Sequence, residues 1–364
     1  MPEPASRPAA GGNAQMATVG SAVTRRLGLA LGPTAWALLR LLPVAALTLG
    51  VAAPVLAVFS YLLRWDDDLI RHLAGTVLLE YLTNSFLLCL GVGLVTGVVG
   101  AGCAWLVTMY NFPGRSFFRW ALLLPLAMPA YVLAYAYTDF LQVTGPVQTW
   151  LRAITGWGVR DYWFPEIRSV GGTIFVLSMA LYPYVYALAR AAFVEQSQCA
   201  LEVSRTLGCS GFGAFRRVGL PLARPAVAAG VAFALMETLA DFGAVSYFGI
   251  GTFTTGIYRA WYAFGSPVAA AQLSSLLLLL ILAVLLAEWS LRGRARFAAA
   301  TTHIFRKILP RLTGWQAIVA SSACLLPLLF GFLLPALVLI QMALDSPNTP
   351  HGAGLLELAR NTLA

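Results

Sequence analysis

The chain has 364 residues, of which 59% are hydrophobic and 11% charged, with a formal net charge of +9 and a mean hydropathy of +0.77. Soluble domains carry about 25% charged residues, so an ordinary soluble domain is excluded. Several uncharged runs are long enough to cross ~30 Å of hydrocarbon, and the basic residues are divided among the loops between them, which points to membrane topology and not to nucleic acid.

Residues 1–36, rich in Ala, Gly and Pro and carrying Arg7, Arg25 and Arg26, contain no compact apolar segment ending in a clear cleavage site. They read as a disordered cytoplasmic tail. The first span covers 41–63, uncharged and bracketed by Arg40 and Arg64; a helix of that length crosses the bilayer at 1.5 Å per residue. Further uncharged stretches near 85–109, 120–138, 171–189, 226–248, 272–287 and 317–344 make seven candidate helices. The expected fold class is an all-α polytopic membrane helical bundle. Gly91, Gly93, Gly97, Gly100 and Gly102 in the second span permit close helix packing, and Pro125, Pro129 and Pro183 mark kinks in the next two.

The loop 142–169 mixes Trp150, Trp157, Tyr162 and Trp163 with Gly and Pro. That composition suits the headgroup region, where an aromatic ring keeps one end wet; contact with a soluble partner is the other reading. With the N-terminus inside, 17 of the 24 Lys and Arg fall on cytoplasmic segments and seven outside, where Asp66, Asp67, Asp68, Asp161 and Glu166 also lie. The positive-inside bias therefore favours a cytoplasmic N-terminus.

Residues 78–86 read LLEYLTNSF and residues 355–363 read LLELARNTL, sharing Leu-Leu-Glu and an Asn followed by a hydroxyl residue. Each follows a long apolar helix containing a proline, Pro54 or Pro335. The match implies duplication. On this reading 37–292 is one complete six-helix unit, 293–315 a cytoplasmic linker, and 316–364 the start of a second, incomplete unit, as in a truncated form of a longer protein.

The segment 195–225 reads EQSQCALEVSRTLGCSGFGAFRRVGLPLARP. Residues 201–207 can form a short helix with Glu202 and Arg205 one turn apart, Gly208 can end it in a left-handed conformation, and Pro221 and Pro225 delimit the next helix. The positive-inside bias alone would account for its arginines. It would not account for the order of Glu, Gly and Leu-Pro. This order resembles the cytoplasmic signature loop of bacterial ABC importer permeases, Glu-Ala-Ala, three residues, Gly, then an aromatic and Leu-Pro. Glu202, Val203, Ser204, Gly208, Phe215, Leu220 and Pro221 occupy those places, with Val203-Ser204 where the family usually has two alanines. The resemblance implies the type I (MetI-like) importer permease fold and a docking element for cytoplasmic ATP-binding subunits, in which Arg216 and Arg217 would meet acidic groups. Residues 236–273, beginning METLADFG and continuing through a Thr-rich, Tyr-Arg-Ala-Trp stretch, resemble the ferric-iron permeases in particular.

Glu237 and Asp241 lie four apart, hence on one face of a fifth span that they interrupt. A charge near the bilayer centre costs at least ~2.5 kcal/mol, so both should face protein or water. They either line a translocation path that attracts a cation, or hydrogen-bond neighbouring helices or a loop backbone near Gly243.

No covalent chemistry is expected. The only lysine, Lys307, follows Arg306, so no phosphate-binding Gly-Lys-Ser/Thr loop exists in the chain; His72, His303 and His351 are far apart, and neither HExxH, CxxC nor GxSxG occurs. The five cysteines suggest no disulfide framework. No metal site or cofactor is expected. The resemblance implies a multi-pass permease of the bacterial inner membrane, fed by a periplasmic substrate-binding protein and contacting membrane lipid. The alternatives are a permease of the same superfamily for thiamine, a polyamine or an anion, or a membrane scaffold or sensor without transport.

Overall fold

A computed structural model describes residues 33–61, 75–195, 206, 208, 210–292, 309–345, 357 and 360–362. In hydrocarbon every backbone N–H and C=O must be paired within the segment, and a helix achieves this with local bonds alone. The described residues accordingly form helices joined by turns, with no strand among them beyond one isolated bridge between Asn111 and Arg311.

The chain divides into two compact units, Met1–Arg64 and Trp65–Ala364. The described part of the first is α1 (Pro33–Ser60), 28 residues that accommodate Pro43 and Pro54. The second unit holds α2 (Leu78–Met109), α3 (Arg115–Ala121), α4 (Ala130–Leu141), α5 (Pro146–Thr155), α6 (Val170–Glu195), α7 (Gly211–Ala240), α8 (Gly243–Phe248), α9 (Phe253–Tyr258), α10 (Pro267–Arg292) and α11 (Trp315–Asp345). Three π turns widen this scaffold, Phe215–Gly219 within α7, Arg259–Ala263 after α9 and Leu329–Leu333 within α11. Six described helices, α1, α2, α6, α7, α10 and α11, are long and apolar enough to cross a membrane.

Two expected spans are corrected. The third is not one helix: α3 and a 3₁₀ turn, Leu124–Ala127, meet the α4–α5 segment at a bend of 91°. Pro125 and Pro129 each lack an N–H, and Met128, crowded by the ring of Pro129, is extended at φ −110°, ψ 115°. The fifth is also broken. α7 starts earlier than expected and stops at Ala240, Asp241 is extended, and α8 is a separate short helix. Of the two prolines expected to delimit a helix, Pro221 stands in the first turn of the regular α-helical part of α7, after the π turn, while Pro225 lies inside it.

α2, α6 and α7 form the centre of the second unit. A Cβ on Gly100 would come within 2.6 Å of Val185 Cβ, and one on Gly230 within 2.6 Å of Val185 Cα, so these glycines let α2 and α7 close on α6 from two sides. α11 packs against α2 and α4. Tyr137 Oη donates to Phe330 O at 2.5 Å, and Cys103 Sγ donates to Ala323 O at 3.5 Å. Cys89, Cys103 and Cys324 are free thiols.

Candidate functional site

The segment resembling a signature loop is described in part. Glu202, Val203 and Ser204 lie outside the described residues. Gly208 has φ +82°, the left-handed conformation expected of a helix-ending glycine. Ser210 then starts α7, its Oγ accepting from Gly213 N at 3.1 Å.

Phe215 opens the π turn, and its half-buried ring points into the bundle. It sits 5.1 Å from the ring of Trp105 on α2 and 6.4 Å from that of Phe193 on α6, while Trp105 and Phe193 meet edge-on at 5.2 Å. Such aromatic pairs contribute ~0.5–1.5 kcal/mol each beyond the area they bury. One turn later Gly219 lies against Trp105, where a Cβ would approach Cζ3 to 2.3 Å. Three helices, α2, α6 and α7, are thereby locked together at the start of α7. Arg216 and Arg217, in contrast, point outward and are exposed, while Leu220 and Pro221 are half-buried. Pro221 cannot donate, and the preceding backbone widens so that Leu220 N bonds Phe215 O five residues back.

The other end of α7 carries the two carboxylates. Glu237 is exposed and Asp241 half-buried, and both line a cavity of about 200 Å³ shared with Pro125, Pro129, Ala180 and Tyr184. The break in the third span thus forms one wall. Asp241 follows the last residue of α7 and lines the same cavity as Glu237. Its Oδ1 accepts from Ala244 N and Val245 N at 3.0 Å each, capping α8, and its carbonyl accepts from Thr254 Oγ1 at 2.7 Å. Among the described residues no group of three His, Cys, Asp or Glu could hold a metal ion.

The Thr-rich stretch wraps around this cap. Thr252 and Thr255 form a reciprocal capping box at the start of α9, and Asn84 Nδ2 donates to Gly251 O at 2.9 Å. Tyr81 packs so closely on Gly256 that a Cβ there would come within 2.4 Å of its ring. The aromatic run beyond, Tyr258, Trp261 and Tyr262, is largely exposed, with Tyr258 in tilted contact with Phe242 on one side and Tyr262 on the other.

The description of binding-protein-dependent transport system inner membrane components matches residues 93–296, more than half of the chain, including α7 and both of its ends. The chain belongs to this family. Among relatives of this inner membrane component, the Fe(3+)-transport system permease protein FbpB 2 of Haemophilus influenzae is 29% identical over 217 residues, covering 59% of this chain and 38% of the relative. The sulfate transport system permease protein CysW of Escherichia coli (strain K12) is 30% identical over 181 residues, covering 50% and 56%. The chain thus spans from about two fifths to just over half of these relatives. In fold it is similar to a chain of a bacterial alginate ABC transporter crystallised with an alginate pentasaccharide-bound periplasmic protein, with a TM-score of 0.56, 16% identity, and coverage of 71% of this chain and 94% of that one.

Sequence reading singled out Phe215 but missed Trp105, Phe193 and Asn84. Nothing local marks the first two, because their partners lie in other spans. Asn84 stood in plain view as the conserved-looking end of the internal repeat, without a role.

Proposed function

We infer that this inner membrane component is the permease subunit of an ATP-driven importer, with its N-terminus in the cytoplasm, and that ferric iron is its cargo. A periplasmic binding protein would deliver the ligand to the outer face, and cytoplasmic ATP-binding subunits would grip the segment around Glu202–Gly208 with Arg216 and Arg217 at the rim.

The observation that carries this reading is the aromatic lock of Phe215 on Trp105 and Phe193. A flexible basic loop would absorb a push from a partner. A segment whose Phe215 turn is wedged between two spans passes the push to α2 and α6 as well as along α7. α7 then links that turn to Glu237 and the Asp241 cap, ~33–39 Å along the helix at 1.5 Å per residue. Switching access also requires that the docking surface differ between the two states, which a rigidly attached turn provides.

Ferric iron is supported by the likeness to FbpB 2, by the METLADFG stretch, and by two carboxylates beside one cavity. The similar identity to a sulfate permease supports an oxyanion as the second reading.

The test is reconstitution of the full protein with its ATPase and binding protein in proteoliposomes, with radiolabelled ferric iron and sulfate as competing cargoes. Iron uptake that requires ATP and the binding protein is expected. Sulfate uptake instead would replace the cargo and keep the importer. Absence of any ATPase association would overturn the importer reading itself.

A further inference from the structure

We propose that α5 and the loop after it form an outward-facing lipid anchor that lies in the headgroup region beside the bent third span. The helix is amphipathic, and the outer half of its apolar face is left exposed. Val147, Trp150, Leu151 and Ile154 fall at i, i+3, i+4 and i+7, one face of a helix, with Gln148 and Arg152 on the other. A helix covering a soluble core would bury the whole first set. Here Val147 and Leu151 are half-buried but Trp150 and Ile154 are each 64% exposed, whereas Gln148 is 6% exposed.

The polar side is inward because it has partners there. Gln148 Nε2 donates to Leu141 O at 2.8 Å, and Gln148 Oε1 accepts from Tyr162 Oη at 2.8 Å. Arg152 donates to Tyr162 Oη at 3.1 Å, to Val143 O at 2.8 Å and to Thr149 Oγ1 at 3.2 Å. Its guanidinium is therefore committed within the module and offers little to a soluble protein. Trp157 and Trp163 extend the exposed apolar surface, at 48% and 85%. Several large apolar side chains left exposed within one short module mark an interaction surface.

Position selects lipid as the occupant. α5 follows α4 after four residues folded into a turn by the Gly145 N to Gln142 O bond of 2.8 Å, and the Gln148 to Leu141 bond ties it to the last residue of α4. At the far end Arg168 lies 5.4 Å over the ring of Tyr247 on α8, immediately before α6 begins. Both ends of the module are thus held where spans leave the membrane, the depth at which Trp side chains and the apolar faces of interfacial helices are stable. The inference does not depend on the cargo or on ATPase coupling.

The experiment places the photocrosslinker p-benzoylphenylalanine at Trp150 or Ile154 of the full protein in phospholipid nanodiscs, with Leu94, an exposed position within α2, as the lipid-facing control. After irradiation with and without the purified binding protein, intact mass identifies what is attached. Phospholipid adducts at both positions, at a yield comparable with Leu94 and unchanged by the binding protein, are expected. Adducts to the binding protein would overturn the proposal in favour of a protein docking face. Loss of lipid adducts at 150 and 154 while Leu94 retains them would overturn it in favour of a water-exposed loop. Because both replacements are at exposed sites, size-exclusion profiles matching the unsubstituted protein show that folding is intact.

Discussion

Asp241 performs two separable tasks, and two substitutions pull them apart. Its Oδ1 accepts from the amides of Ala244 and Val245 at 3.0 Å, and both of those residues are fully buried. Asp241→Ala removes the acceptor. Loss of a helix cap costs ~0.5–2 kcal/mol, and the upper end applies here because the orphaned N–H groups cannot turn to bulk water. Asp241→Asn keeps a side-chain oxygen in the same place and cap strengths of Asn and Asp are similar, so its stability change should be within a few tenths of a kcal/mol. The Asn variant removes the charge beside the cavity that Glu237 also lines. Thermal unfolding in nanodiscs reads the first task and reconstituted uptake reads the second. Asp241→Ala should lower the unfolding temperature, while Asp241→Asn should unfold like the parent and transport poorly. Equal destabilisation by both would refute the capping account. An Asn variant that matches the parent in stability and in uptake would refute any role for the charge in the pathway, leaving Asp241 a structural cap alone.

Phe215→Ala empties a half-buried ring site and should cost about 2 kcal/mol, roughly half of a full Phe truncation; ATPase stimulation by the binding protein should fall while Phe215→Leu restores most of it. Asn84→Ala leaves the Gly251 carbonyl without its side-chain donor, at ~1–3 kcal/mol, and should raise hydrogen exchange over 249–256 with little change in the remaining spans. Gly230→Ala puts a Cβ 2.6 Å from Val185 Cα, a backbone contact that cannot rotate away, so α6 and α7 must separate at a cost of ~1–3 kcal/mol; a wild-type unfolding temperature would contradict the packing described.

The spans were legible because hydrocarbon leaves few choices: an uncharged run of sufficient length must be a helix or be shielded by protein. Where they break was not. Pro183 and Pro225 sit inside continuous helices, while Pro125 and Pro129 end one. Spacing alone does not decide it, since Pro221 and Pro225 are also four apart. What differs is the backbone ahead of Pro129, where Met128 is extended after a 3₁₀ turn closed by its N to Pro125 O bond at 3.1 Å. The i, i+4 spacing of Glu237 and Asp241 brings both carboxylates to one cavity, and Asp241 also accepts from the backbone just after Gly243, the alternative role read from the sequence. Where α7 ends was harder to read: Asp followed by Phe-Gly and an apolar run is itself a helix-start signal, and α7 stops at Ala240. Trp105 and Phe193 were illegible in principle, since nothing in the local pattern of either span reports which distant ring it will meet.

α7 joins these features into one mechanical element. Its N-terminal end is fixed to α2 and α6 by the Phe215 ring and by Gly219 against Trp105, and its far end is fixed through Asp241 to α8 and to Thr254. Between them Gly230 rests on Val185 with almost no clearance. A helix held at that point can tilt more easily than it can slide, because sliding would drive side chains into the α6 backbone while tilting repacks only the two ends. The widened backbone at Phe215–Gly219 lies on one side of this contact and the Asp241 break on the other, so the departures from regular helix fall where a tilt would demand compliance. A displacement at the loop therefore reaches the cavity of Glu237 and Asp241 through a single covalently continuous rod.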